Sequence, residues 1–405
     1  MNSKKLIFSI ILTFSAAISA LYADMAFSGY AGAKLKYTAD PEAADYEPYL
    51  SMQSFFAGQF NFTQNIWSHL EVSLDTKNLI SEKIFHETDS IFRLDELSII
   101  LRKQGYYAAN YFAAFLGTYD PVGSDIFLQR YFGLEPISSK ITESWLGNAD
   151  SILYPHFGAG IADVMKFHDL PVAGGIYAYF NHEDSKFFVF NTDARFAMTL
   201  PLFTFDIAMG IGIPLGDKYK NENVIVVIDK VYWHAGTTIL IGNNYTNSIF
   251  MQAGIFNASF TAGTDEAVAK SDDIYLIFEP RLFINNFHVN FSFFSLPKNT
   301  VKNFAFIDDT FGFDLNMYTN ELNINSVIYT VGSHFCVSFK DKYFTKAAES
   351  ETYKLDNMDI VVAPYVSTKI GTGELHAALK LNLMEFTRTN PSKAIAIDVG
   401  YRGTF

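Results

Sequence analysis

Period-two alternation sustained over nine to twelve residues, and repeated along the chain, leaves this protein few folds. In 286–296, Phe287, Val289, Phe291 and Phe293 share one face, and His288, Asn290 and Ser292 the other. In 202–213, Phe203, Phe205, Ile207, Met209, Ile211 and Ile213 oppose Thr204, Asp206, Ala208 and Gly210. Leu375, Ala377, Leu379 and Leu381 oppose His376, Ala378, Lys380 and Asn382, while Phe311, Phe313, Leu315 and Met317 oppose Gly312, Asp314 and Asn316. Successive side chains of a strand point to opposite faces, so each segment has one apolar and one polar side. Soluble strands typically stop at about 5–6 residues. A tilted strand needs roughly 9–11 to cross the hydrocarbon of a bilayer.

The linkers add a second constraint. About eighteen such segments follow from Ala26, or about sixteen if the boundaries slip. Their connections alternate in length. Short ones fall at 64–65, 104–105, 200–201, 285–286, 319–320 and 371–373; long ones at 39–49, 76–90, 119–153, 216–229, 263–271 and 341–357. The link 182–186 is short where a long one is due. This is the rhythm of a hairpin meander with tight turns at one end and long loops at the other. A soluble sandwich instead predicts shorter strands and loops of even length. Pro280 and Pro364 fall inside alternating runs, and proline removes a ladder hydrogen bond, so bulges are expected at both.

Both chain ends point the same way. Lys4 and Lys5 precede an apolar, uncharged stretch over 6–19, followed by small residues up to Ala20 or Ala23. That pattern predicts a signal peptide over 1–23, cleaved after Ala20 or Ala23, because the stretch is short of the ~20 apolar residues a spanning helix needs. Residues 24–405 then form the exported chain. At the other end Ile395, Ile397, Val399, Tyr401, Gly403 and Phe405 alternate with Ala396, Asp398, Gly400, Arg402 and Thr404. A strand running to the last residue needs a partner, since free termini fray. A closed barrel supplies one by pairing 394–405 with about 26–38, and closure lets every backbone group in lipid find its hydrogen bond. The lone Cys336 excludes an internal disulfide, and a formal charge of −13 argues against nucleic acid as a partner.

The signal peptide, the alternating strands and the ending with Phe405, Tyr401, Val399 and Ile397 at alternate positions resemble Gram-negative-type outer-membrane β-barrel proteins, porins above all. The stretch 115–133, FLGTYDPVGSDIFLQRYFG, is similar to uncharacterised spirochaete outer-membrane barrels. The resemblance implies an all-β fold: one antiparallel up-and-down transmembrane barrel in the outer membrane, with short periplasmic turns and long external loops. It also implies a lipid bilayer as solvent, and an assembly machinery that reads Phe405, Tyr401 and Val399. Monomer and homo-oligomer are both compatible with it.

No pattern points to catalysis, a metal or a cofactor. His334 and Cys336 share a strand face, with nothing in the sequence to orient a base. His234, His288, His334 and His376 lie on inward faces of separated strands, and 157–162 lacks the Lys-Ser/Thr of a phosphate loop. The segment 120–150 exceeds the usual ~12–15 residue limit for a structureless loop, yet carries Phe127, Leu128, Tyr131, Phe132 and Trp145. It is expected to fold into the barrel and narrow it, the alternative being an external cap. Its charges Asp125, Arg130, Glu135, Lys140 and Glu143 then line the narrowest point. Arg195, Asp206, Glu279, Arg281, Asp314, Lys380 and Arg402 face the lumen from the strands. The expected function is an outer-membrane pore for passive diffusion of small hydrophilic solutes. The alternatives are an adhesin or ligand-binding protein using its external loops, and a hydrophobic-solute transporter, prompted by the forty phenylalanines.

Overall fold

The structure is a computed structural model that describes residues 26–39, 47–80, 90–124, 126–134, 137–142, 153–182, 188–215, 218–219, 222–223, 231–260, 269–270, 273–301, 304–340, 342–387 and 394–405. The segment read as a signal peptide lies outside them. Eighteen strands form one sheet: β1 Ala26–Ala39, β2 Pro48–Thr63, β3 Ile66–Thr76, β4 Ser90–Gln104, β5 Ala108–Thr118, β6 Phe157–Phe167, β7 Val172–Asn181, β8 Phe188–Leu200, β9 Phe203–Leu215, β10 Val231–Ile241, β11 Ser248–Phe260, β12 Ile274–Ile284, β13 Phe287–Ser295, β14 Phe311–Thr319, β15 Val327–Phe339, β16 Met358–Ile370, β17 Gly373–Asn382 and β18 Ile395–Thr404. The short piece Leu322–Ile324 continues β14 along β15. Each strand pairs antiparallel with its neighbours in sequence, and β1 pairs with β18 from Tyr30 opposite Thr404 to Tyr37 opposite Ile397. Gly29 and Phe405 exchange backbone hydrogen bonds of 3.1 and 3.0 Å beyond that ladder. The barrel closes on the last residue of the chain.

Turn chemistry sorts the two ends. Asn285, Asn325, Ser326 and Gly371 take φ of 54°, 51°, 67° and 61°, the left-handed values a two-residue hairpin turn requires. The hairpin expected to turn at 319–320 runs further and turns at Asn325–Ser326.

The prolines behave differently from the sequence expectation. Phe278 opposite Phe293 and Arg281 opposite Asn290 keep one register across Pro280, and Val362 opposite Leu381 and Tyr365 opposite Ala378 keep one across Pro364. Each proline interrupts the ladder on one side without an inserted residue, because its other side stays paired, with Ile249 and Ser333 respectively. The register shifts lie instead at Asn61/Thr63, Glu71/Val72 and Trp233/Ala235.

Candidate functional site: the lumen and its two inward segments

Alternate positions build the inner wall. One row passes straight across seven strands as Ile100, Ala113, Ala162, Tyr177, Asp193, Gly210 and His234. Its close packing depends on glycine: a Cβ at Gly210 would sit 1.7 Å from Asp193 Oδ1 and 2.6 Å from His234 Nε2. Those two atoms bind each other at 2.8 Å.

The segment after β5 docks on this wall. Asp120, fully buried with φ 42°, is its hub. Asp120 Oδ1 accepts from Arg130 Nη1 at 2.5 Å, and Oδ2 accepts from the Tyr131 and Tyr177 hydroxyls at 3.1 and 3.2 Å. Its backbone carbonyl accepts from Arg195 Nη1 at 2.6 Å, while Arg195 Nε and Nη2 grip Asp206 at 2.9 and 2.6 Å in a two-bond fork. Arg130 lies on helix α1, Ile126–Phe132, and reaches β4 through Nη2 to Glu96 Oε1 at 3.1 Å. Burial opposes its charge, but the carboxylates of Glu96 and Asp120 outweigh that and hold the guanidinium firmly protonated. Burial, and then the Asp120 charge, push the Tyr119 and Tyr131 phenols up.

The same segment continues across the lumen. Gln252 Nε2 on β11 donates to the Gly123 carbonyl, and Ser139 Oγ donates to Glu279 on β12. Arg281 Nη2 donates to the Ser138 carbonyl at 2.8 Å. On the return limb, His156 Nδ1 stands 3.1 Å from the Asp120 carbonyl and its Nε2 3.2 Å from Asp193 Oδ2. The described parts of the segment are therefore tied by hydrogen bonds to strands from β4 to β12.

A second inward segment, 296–310, joins β13 to β14 and contains the short helix α2, Lys298–Val301. Leu296, Val301, Phe304, Phe306 and Ile307 are buried, with the Phe306 ring stacked 3.9 Å from that of His334. Asp308 accepts from Lys380 Nζ at 2.5 Å and Asn382 Nδ2 at 3.1 Å. Burial, then the hydrogen bond and charge of Asp359, push Asp309 up to about 8. The linker reading missed this segment.

The outer face is the inverse of the inner one. Ile99, Leu116, Ile161, Ile176, Met209, Phe291 and Val331 are 44–64% exposed. The short-turn rim carries Phe27, Tyr106, Tyr107, Phe287 and Phe405, a girdle of aromatics. A closed sheet, greasy outside and polar inside, has lipid as its outer solvent. The chain is an integral outer-membrane β-barrel of porin-like architecture. Solved structures similar to it include Salmonella typhi OmpF in complex with daunomycin, at 11% identity over 94% of this chain and 97% of that one, TM-score 0.42. Acinetobacter baumannii OccAB3 aligns at 10% identity over 94% and 99%, TM-score 0.49. A Rh. blastica porin variant aligns at 8% identity over 94% and 100%, TM-score 0.42. At these identities the likeness is one of fold alone. No protein-family model matches the chain. No curated protein matches its sequence.

The charges singled out from the sequence meet as pairs. Arg195 holds Asp206, Arg281 Nε holds Glu279 at 2.7 Å, His334 holds Asp314 at 2.9 Å and Lys380 holds Asp308. Arg402 lies 5.5 Å from the centre of the Tyr30 ring. Asp125, Glu135 and Glu143 lie outside the described residues. Glu96, Asp120, His156 and Asp193 escaped the sequence reading. Glu96 is in phase with Ser98 and Ile100 on β4 and was recoverable from alternation, whereas Asp120 and His156 sit in aperiodic chain. His69, Glu71 and Glu96 bring three metal-ligating atoms within 4.8 Å of one another. The same atoms already serve the His69–Glu71 contact at 2.9 Å and the Arg130–Glu96 pair.

Proposed function

We propose that the barrel is a pore for the passive diffusion of small hydrophilic solutes. Barrels of 16–18 strands are wide enough to hold an aqueous channel, and among the described residues the hydrogen bonds of the 120–142 segment to the wall run to strands from β4 to β12. The carrying observation is the contrast in exposure around the lumen. On β4–β12 the inward polar residues Glu96, Ser98, Asp193, Arg195, Asp206, Thr238, Gln252 and Glu279 are all buried. On β1–β3 the inward Ser28, Tyr30, Lys34, Lys36, Gln59, His69 and Glu71 are half-buried or exposed. A water path along β1–β3, with lysines on one side and Glu71 on the other, accounts for that contrast.

The test is planar-bilayer conductance of the refolded chain. Ohmic single-channel steps support the pore, and a bilayer that stays sealed at high protein load refutes it. In the same reading, the last strand is the element the assembly machinery recognises, with Phe405 packed 5.1 Å from Phe27 and 5.7 Å from Phe56, ring centre to ring centre.

A further inference from the structure

The outer face of β6 carries a group that lipid does not suit. Phe157, Ala159, Ile161, Met165 and Phe167 share that face with Asp163, whose side chain is exposed. Asp163 stands opposite Phe112 of β5 and Ile176 of β7, which are 42% and 64% exposed. Among the described residues it is the only acidic side chain in the regular outward phase of the strands. The only cation in that phase, Lys103, is the next-to-last residue of β4, beside the short turn.

Depth rules out an escape to water. Asp163 lies four residues from Phe167 and six from Phe157. At ~3.3 Å per residue those are about 13 Å and 20 Å along the strand, inside an apolar band ~25 Å tall. One methylene cannot carry the carboxyl to a headgroup. Among the described residues no hydrogen bond or ion pair holds it, and no charged group acts on it. Ionisable side chains inside a membrane are costly, and they pair with one another or mark a functional site.

The surroundings narrow the occupant. Phe112, Ile161, Met165 and Ile176 ring the carboxyl with apolar surface, as in contacts where water-excluding side chains surround one polar centre. Ala114, Gly174 and Ala178, the next outward positions on β5 and β7, let another wall approach closely. In a two-fold pair with its axis along the membrane normal, residues at the axis meet their own copies at equal depth. A protonated carboxyl has one O–H donor and a carbonyl acceptor, so it complements itself. The aliphatic and aromatic side chains around it offer no such partner.

We infer that the outer face of β5–β7 is the contact between two copies of this chain, with the two protonated Asp163 carboxyls exchanging a pair of hydrogen bonds across the axis. Two carboxyls that share a site cannot both ionise, and the apolar ring keeps water from them. The contact goes beyond the pore reading and holds whether or not the barrel conducts.

The experiment is sedimentation of the refolded full-length barrel in detergent, with disulfide trapping in lipid vesicles. Wild type should sediment as a dimer. Asp163→Leu, which suits lipid better in a lone barrel, should weaken the dimer tenfold or more with heat-modifiable mobility unchanged. Asp163→Asn should retain most of the affinity, since an amide also donates and accepts. Alkaline buffer should dissociate wild type and leave Asp163→Asn paired, because no other titratable side chain occupies the outward phase of β5, β6 or β7. For trapping, Ile161→Cys leaves the carboxyl in place and should give a covalent dimer on oxidation. Val331→Cys, on the outer face of β15, should give none. The native Cys336 is fully buried and stays silent. A monomer at every protein load leaves Asp163 as a lone protonated carboxyl and overturns the contact. So does a dimer that Asp163→Leu leaves intact, or one trapped equally through Ile161→Cys and Val331→Cys.

Discussion

Arg130→Gln isolates the docking of the first inward segment from the stability of the barrel. The guanidinium is 14% exposed and lies between Glu96 at 2% and Asp120 at 0%. Removing one partner of a buried ion pair typically costs about 3–5 kcal/mol, because the opposite charge is left without compensation. Glutamine keeps one donor, so the low end, about 3 kcal/mol, is the appropriate figure. At about 1.4 kcal/mol per tenfold, the docked-to-undocked ratio of 120–142 falls roughly a hundredfold. None of the bonds lost belongs to a strand ladder, so strand content and heat-modifiable mobility should be unchanged. Single-channel recordings should show larger and more variable steps, because the narrowest section dominates resistance. Added protease should cut the segment in the variant under conditions that spare wild type. Glu96→Gln combined with Arg130→Gln removes one of the two buried carboxylates as well, and should restore part of the docking. Identical conductance and cleavage patterns in wild type and Arg130→Gln would refute the argument.

Three further outcomes follow from the same structure. Asp309 carries its carboxyl well above the ordinary 3.8, so the folded state binds that proton more tightly than the unfolded one. Docking of 296–310 is therefore strongest below about pH 4 and weakens as pH rises through about 8; Asp309→Asn should flatten that dependence when protease protection is followed across the range. Phe291 is 44% exposed at the middle of β13, so Phe291→Arg should cost about 2–4 kcal/mol in refolding titrations into lipid vesicles, and an unchanged midpoint would place that face away from lipid. Deleting Phe405 should reduce the folded, heat-modifiable form far more than the amount exported, since it removes the contacts to Phe27 and Phe56 and the bonds to Gly29; equal folded yield would count against a role for the last residue.

Local rules were enough for the wall. Whether Phe291 faces out and Asn290 in follows from the pleat alone, and the pairing of 394–405 with β1 follows from the need to satisfy every backbone group in lipid. Both hold in the structure, with Tyr37 opposite Ile397 and Phe291 in the exposed belt. The bonds inside the lumen needed tertiary structure. Asp120 meets Tyr177 and Arg195, which lie 57 and 75 residues along the chain, and Ser139 meets Glu279 across 140. No periodicity encodes such contacts, because an aperiodic segment can dock wherever shape and charge allow. The prolines show the same limit: the sequence says that a ladder bond is missing at Pro280 and Pro364, but only the paired strand on the other side decides that no bulge is needed. Arg195, Asp206, Glu279 and Arg281 read from the sequence as four free lumen charges. Opposite charges held in hydrogen-bond contact and buried from solvent neutralise each other, and only the fold determines which of them meet.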